Sequence, residues 1–259
     1  MTDTQLSTHD TDSAFWEDWQ RSWDQQQEWY LPEREERFRV MTDLVEAVGG
    51  ATPRVLDLAC GTGSISRRLL TRLPGARSVG VDLDPALLAI AEGSFAADPR
   101  VELVTADLRD PRWTAALPEG PFDAVVTATA LHWLDTPDLL RLYRELAGLL
   151  RPGGLFLNAD HCPQPDTPLL NAADRAQQQL RQQQERAAGV LDWAQWWQAA
   201  AAEPRLAEQV AARSTVYRDH KDGAIHPVEW QTAQLREAGF SEAGLAWRSV
   251  SDAMVAAIR

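Results

Sequence analysis

An α/β fold, built on a mostly parallel sheet with helices on both faces, is the architecture this sequence predicts. Three observations carry the expectation. From Arg54 onward, short apolar runs alternate with helix-forming stretches. The first run opens into a Gly61-Thr62-Gly63 turn, and Asp57, Asp82 and Asp107 end or follow the first three runs. Parallel strands need crossovers that cover the sheet, and the ligand of such a sheet lies at the carboxyl ends of its strands.

The 259 residues suit one large domain carrying an insertion. Residues 1–13, rich in Thr, Asp and Ser, read as a disordered tail. Residues 14–50 read as an N-terminal helical lid. Trp16, Trp19 and Trp23 follow i, i+3, i+7 and share one helix face. A second helix is expected to start at Pro32 and to carry the stripe Phe38, Met41, Leu44, Val45 and Val48, ending at Gly49-Gly50. Extended backwards, that stripe passes through Arg34 and Arg37. Two inward cations need anions, either a ligand or local glutamates such as Glu33 and Glu36.

Strands are expected at 54–58, 78–82, 101–104, 122–126 and 154–157, with an amphipathic helix over 139–150. Residues 163–219 hold no strand-like run. They are rich in Ala, Gln, Arg, Leu and Glu, and Trp193, Trp196 and Trp197 form a second stripe, so they read as a helical insertion. The two tryptophan stripes either glue lid and insertion to the sheet or line an aromatic substrate pocket. A helix from His226-Pro227 to Gly239 and strands at 245–250 and 253–258 complete a core made of 51–162 and 220–259.

A formal net charge of −13 leaves no basic footprint for nucleic acid or an anionic membrane. No run approaches the ~18 apolar residues of a membrane span. The polar, acidic start lacks the basic and apolar regions of a secretory signal, and two cysteines, Cys60 and Cys162, build no disulfide framework. The expectation is a cytoplasmic protein acting on a small molecule.

The Gly61–Gly63 turn lets backbone approach a ligand, with the following helix aiming its amides at it. Alone it is a weak signal, and Ser66 stands where a dinucleotide fingerprint has its third glycine. The carboxylates sharpen it. Asp82, at the end of the second strand, suits a ribose diol or a cap for the helix at Asp84-Pro85. Asp107 suits a ligand or an Asx-turn before Pro111. Asp57, inside a strand, has no apolar role and could hold a cationic group.

VLDLACGTG (55–63), VGVDLDP (79–85), TADL (105–108), FDAVVTATALHWL (122–134), LRPGGLF (150–156) and LREAGF (235–240) together resemble the S-adenosylmethionine-dependent methyltransferases. The resemblance is to the Rossmann-like class I fold, and within it to small-molecule enzymes of the trans-aconitate type. It implies a seven-stranded sheet of order 3-2-1-4-5-7-6 with the last strand antiparallel. It implies that Asp57 and the Gly61–Gly63 backbone hold the methionine and ribose portion, Asp82 the ribose diol and Asp107 the adenine amino group, with Ala59, Thr62, Leu83 and Leu108 as neighbours. Thr127 and Ala128 would lie beside the sulfonium, and Tyr30 with Arg34 or Arg37 would cover the methionine carboxylate. Ala59 stands where many members have glycine.

Methyl transfer from a sulfonium asks mostly for alignment and a dry site. A base is needed only for a neutral nucleophile. His161, with Asp160 beside it to orient the ring, and His132 are the candidates, ahead of His220 and His226. A metal is not expected, because Asp160 and His161 lack a third ligand. A carboxylate or hydroxyl acceptor is the first expectation, and Arg175, Arg181, Arg186 or Arg213 of the insertion could supply a basic pocket. The rivals are a protein of the same fold that binds the cofactor without transferring methyl, and a nicotinamide-dependent oxidoreductase.

Overall fold

Alternation of apolar runs with helices produces the expected layers. The computed structural model describes residues 8–31, 33–162, 164–218 and 223–259. In chain order they form α1 (Thr8–Glu28), α2 (Arg34–Gly49), β1 (Arg54–Leu58), α3 (Ser64–Arg72), β2 (Arg77–Asp82), α4 (Pro85–Phe95) and β3 (Val101–Thr105). Then follow β4 (Phe122–Ala128), a 3-10 turn at Leu131–Trp133, α5 (Thr136–Leu149), β5 (Leu150–His161), α6 (Pro168–Ala187), α7 (Trp193–Ala202) and α8 (Ala207–Val216). Last come α9 (Val228–Glu237), β6 (Glu242–Arg248) and β7 (Asp252–Ile258). The seven strands pair in the order β3-β2-β1-β4-β5-β7-β6. β1 to β5 are parallel, and β7 runs antiparallel to both β5 and β6.

Side chains alternate across the strands, so each face of the sheet builds its own core. Leu56, Val125 and Phe156 face Leu142 and Leu146 of α5 and Leu235 of α9. Val55, Val126 and Leu157 face Phe38, Met41 and Val45 of α2 and Leu69 of α3. α2 is therefore a covering layer of the sheet as well as part of the expected lid.

β5 extends four residues on either side of the expected strand. Its later half carries Asn158 and Asp160, both buried, and polarity hid it from an apolar pattern. α1 begins at Thr8, inside the expected tail, and Asp12 pairs with Arg205 of the insertion at 3.1 Å. The expected helix start at Pro32 and the candidate His220 lie outside the described residues.

The tryptophan stripes meet. Trp23 lies 4.9 Å from Trp196 and 6.1 Å from Trp197, Trp19 lies 5.5 Å from Trp196, and the Trp196 indole N–H donates to Ser22 Oγ at 3.0 Å. Leu87 and Ile90 of α4 complete this third cluster. Edge-on aromatic contacts of this kind join α1 and α7 beside α4.

Candidate active site at the strand ends

β1 leads into a turn in the left-handed backbone region: Ala59 at φ 52°, Gly61 at 55° and Gly63 at 77°. Glycine is at home there; Ala59, with a Cβ, is strained by about 1 kcal/mol. Gly63 caps α3, and a Cβ on it would sit 2.4 Å from the Phe95 ring. Backbone conformation and close packing both demand glycine at that position.

Asp57 is buried at the end of β1. Its Oδ2 accepts from the Ser66 backbone N–H at 3.1 Å and from Ser66 Oγ at 2.6 Å, while Oδ1 is buried with no partner. Burial pushes its pKa up to about 7 against the Ser66 bonds, and nearby Asp82 adds to the rise. Asp82, at the end of β2, accepts from the backbone N–H groups of Gly61, Leu83 and Asp84 at 2.7–2.8 Å. Burial still raises it to about 6. Asp84 is the α4 cap, accepting from Ala86 and Leu87, so Asp82 is spared that role. Asp107 closes an Asx-turn onto the Arg109 N–H at 2.9 Å and pairs with its guanidinium at 2.8 Å. Leu83 and Leu108 are half-buried beside these acids.

The ends of β4 and β5 hold the second half of the site. Thr127 is fully buried with its hydroxyl unpartnered, Ala128 follows, and Thr129 adopts φ 52°, a strained conformation for a β-branched residue. Two histidines stand on this edge with ring centroids 5.2 Å apart. His132 Nδ1 lies 2.7 Å from Asp160 Oδ1, and His161 Nδ1 lies 2.7 Å from Asp252 Oδ1. The expected pairing of His161 with Asp160 is corrected: side chains of successive strand residues leave by opposite faces. Asp160 therefore serves His132, and Asp252, across the β5–β7 pair, serves His161 and raises its pKa.

Neither Arg34 nor Arg37 turns to a local glutamate; Arg39, on the exposed face, takes Glu36 instead. Arg34 Nη1 donates to Asp24 Oδ1 at 2.7 Å, and Asp24 also accepts from Ser64 at the start of α3 and from Arg68. Arg37, fully buried, lies 3.0 Å from Asp252 Oδ2 and over the Trp247 ring. Tyr30 is exposed, its hydroxyl 3.4 Å from the Trp193 N–H.

Residues 55–154 match the family model described as a methyltransferase domain. The match runs from β1 into β5. Its sequence is 39% identical over 138 residues to a trans-aconitate 2-methyltransferase of Azoarcus sp. (strain BH72), covering 52% of this chain and 49% of the relative. Against the enzyme of that name from Methylobacterium radiotolerans it is 34% identical over 146 residues, 55% and 52% of the two chains. The chain thus spans about half the length of the curated relatives it matches. The fold is shared with an O-methyltransferase family protein from Burkholderia thailandensis (TM-score 0.55, 22% identity, 85% of this chain and 55% of that one). PigF with SAH is a further neighbour (TM-score 0.52, 18% identity, 80% and 50%).

The residues at the strand ends fit S-adenosylmethionine, the cofactor that the sequence resemblance implies. A buried carboxylate oxygen without a partner on Asp57 suits the cationic methionine end, and the backbone-anchored Asp82 presents its remaining lone pairs to a diol. Arg213 does not serve an acceptor pocket, because its Nε donates to Asp84 on the β2 side. Arg186 lies over Trp29, and Arg175 is exposed. His132, missing from the sequence argument about metals, joins Asp160 and His161 to place three possible ligand atoms within 4.8 Å of one another. Ser66, Asp24 and Asp252 were not singled out from sequence. Ser66 alone had a signal there, a hydroxyl in place of a glycine.

Proposed function

We propose that the protein transfers a methyl group from S-adenosylmethionine to an oxygen of a small carboxylate or hydroxyl acceptor. The observation that carries the reading is the row of groups along one sheet edge. Asp82 and Asp57 form the cofactor half, and Thr127, Ala128 and the two His–Asp pairs form the acceptor half. Similarity to trans-aconitate 2-methyltransferases supports a carboxylate.

When bound, the cofactor supplies a methyl already activated by its sulfonium. The protein's part is alignment and exclusion of water. Asp57 balances the charge of the methionine end, Asp82 anchors the ribose, and Tyr30 with Arg34 or Arg37 lies on the lid side. The imidazolium of His161, favoured by Asp252, holds an acceptor carboxylate, which needs no base. In its neutral form, His161 Nε2 accepts the proton of a hydroxyl acceptor, and His132 stands beside it as the second such group. Among the described residues no helix is long and apolar enough to cross a membrane. The acidic surface and two unpaired buried cysteines support work in the cytoplasm on a metabolite rather than on nucleic acid.

The test is formation of S-adenosylhomocysteine when purified protein and S-adenosylmethionine meet a panel of small carboxylic acids and phenols. Turnover with a panel member, lost in Asp82→Ala, is expected. Tight cofactor binding without turnover on any acceptor would favour a non-transferring protein instead.

A further inference from the structure

The motifs account for the strand ends but not for the helical insertion that ends beside them. α8 is seated on α4 through Leu206 and Val210, which join the cluster of Leu87 and Ile90. At its end, Arg213 reaches Asp84 with an Nε–Oδ2 distance of 2.6 Å. Its guanidinium lies 4.2 Å from the Trp197 ring centroid and 4.7 Å from that of Tyr217. Asp84 in turn donates its N–H to Asp82 Oδ1. Tyr217 is thereby placed at the carboxyl edge of β2 and β3. Arg213 stands over its ring, and burial, with the nearby charges of Asp82, Asp84 and Asp107, holds the phenol pKa up, so the ring is neutral. Two of these acids, Asp82 and Asp107, are the ones assigned to ribose and adenine. A neutral, half-buried aromatic ring beside two such acids has the chemistry of a nucleoside-stacking wall.

We propose that Tyr217 is a cofactor-binding residue, its ring forming the insertion-borne wall of the adenosine pocket, where the Arg213–Asp84 bridge holds it. The inference rests on the cofactor reading above. It makes the insertion part of the cofactor site.

Calorimetric titration of the full chain with S-adenosylhomocysteine and with 5′-methylthioadenosine tests it. The second ligand keeps the adenosine and lacks the amino acid end. Tyr217→Leu keeps apolar volume and removes the ring, and is expected to weaken both ligands about 5- to 150-fold, the range of base–aromatic stacking. Tyr217→Phe should retain most of the affinity, and thermal unfolding should show both variants folded. Equal affinity of Tyr217→Leu and wild type for both ligands overturns the proposal, as does a loss confined to S-adenosylhomocysteine. Wild-type binding abolished by Asp82→Ala secures the cofactor reading separately. A wild type that binds neither ligand brings down both.

Discussion

Asp252 Oδ1 lies 2.7 Å from His161 Nδ1 while its Oδ2 lies 3.0 Å from the Arg37 guanidinium, so one carboxylate at the start of β7 serves both an imidazole and a buried arginine. Removing its charge strands Arg37, whose burial is complete. Asp252→Asn is expected to lose about 3–5 kcal/mol in urea unfolding, the cost of an uncompensated buried charge. A loss below 1 kcal/mol would show that Arg37 finds another partner.

His161 has its folded pKa raised, chiefly by the Asp252 hydrogen bond. A raised basic group adds stability that is fully present below its unfolded pKa and is lost as pH rises through the folded value. Wild type should therefore show a falling component of stability above about pH 6.5 that His161→Gln lacks. Superimposable pH–stability curves for the two proteins would contradict it.

Asp57 and Asp82 pull stability the same way as pH rises, but at lower pH and as a cost, because burial raises them to about 7 and about 6. A raised acid binds its proton more tightly folded than unfolded. Its cost is absent below the unfolded pKa of about 4 and grows as pH rises towards the folded value. A cationic ligand end prefers ionised Asp57, so S-adenosylhomocysteine should bind more weakly as pH falls through about 7, with proton release on binding. Calorimetry in buffers of different ionisation enthalpy reads this directly; no proton linkage between about pH 6 and 7.5 would refute it.

Ala59 carries its Cβ at φ 52°. Ala59→Gly relieves the left-handed strain and is expected to stabilise by up to about 0.5 kcal/mol, the entropic cost of glycine subtracted. The denaturant midpoint should rise with an unchanged slope.

Gly93 sits inside α4, where alanine would be the better helix former by about 1 kcal/mol. A Cβ there would come within 2.1 Å of the Trp16 ring. Gly93→Ala should therefore destabilise by about 1–3 kcal/mol and loosen α1, seen as faster proteolysis of the N-terminal segment. In a Trp16→Ala background the same substitution should become stabilising. A double-mutant cycle without that reversal would sever the link between the two residues.

The first strands and the carboxylates at their ends were legible in the sequence because each signal there is local, whereas the sheet order came from the family resemblance. An apolar run, a glycine turn and an acid at the run's end lie within ten residues of one another. β5 was legible only in its apolar part, since Asn158, Asp160 and His161 carry polarity into the sheet. The acceptor half was legible as a list of residues but not as pairs. Which carboxylate serves which histidine depends on the face from which each side chain leaves β5 and on the register of β7 against it, 91 residues away. Distance in sequence likewise hides Trp16 from Gly93 and Tyr217 from Asp82, and even Asp24, on the preceding helix, lies outside the turn of chain around Arg34. Local backbone chemistry determined the strands, the glycine turn and the acids at the strand ends. Only the tertiary structure decided the partners of the buried charges, because a charge taken out of water must find its counterion wherever packing brings one within about 3 Å.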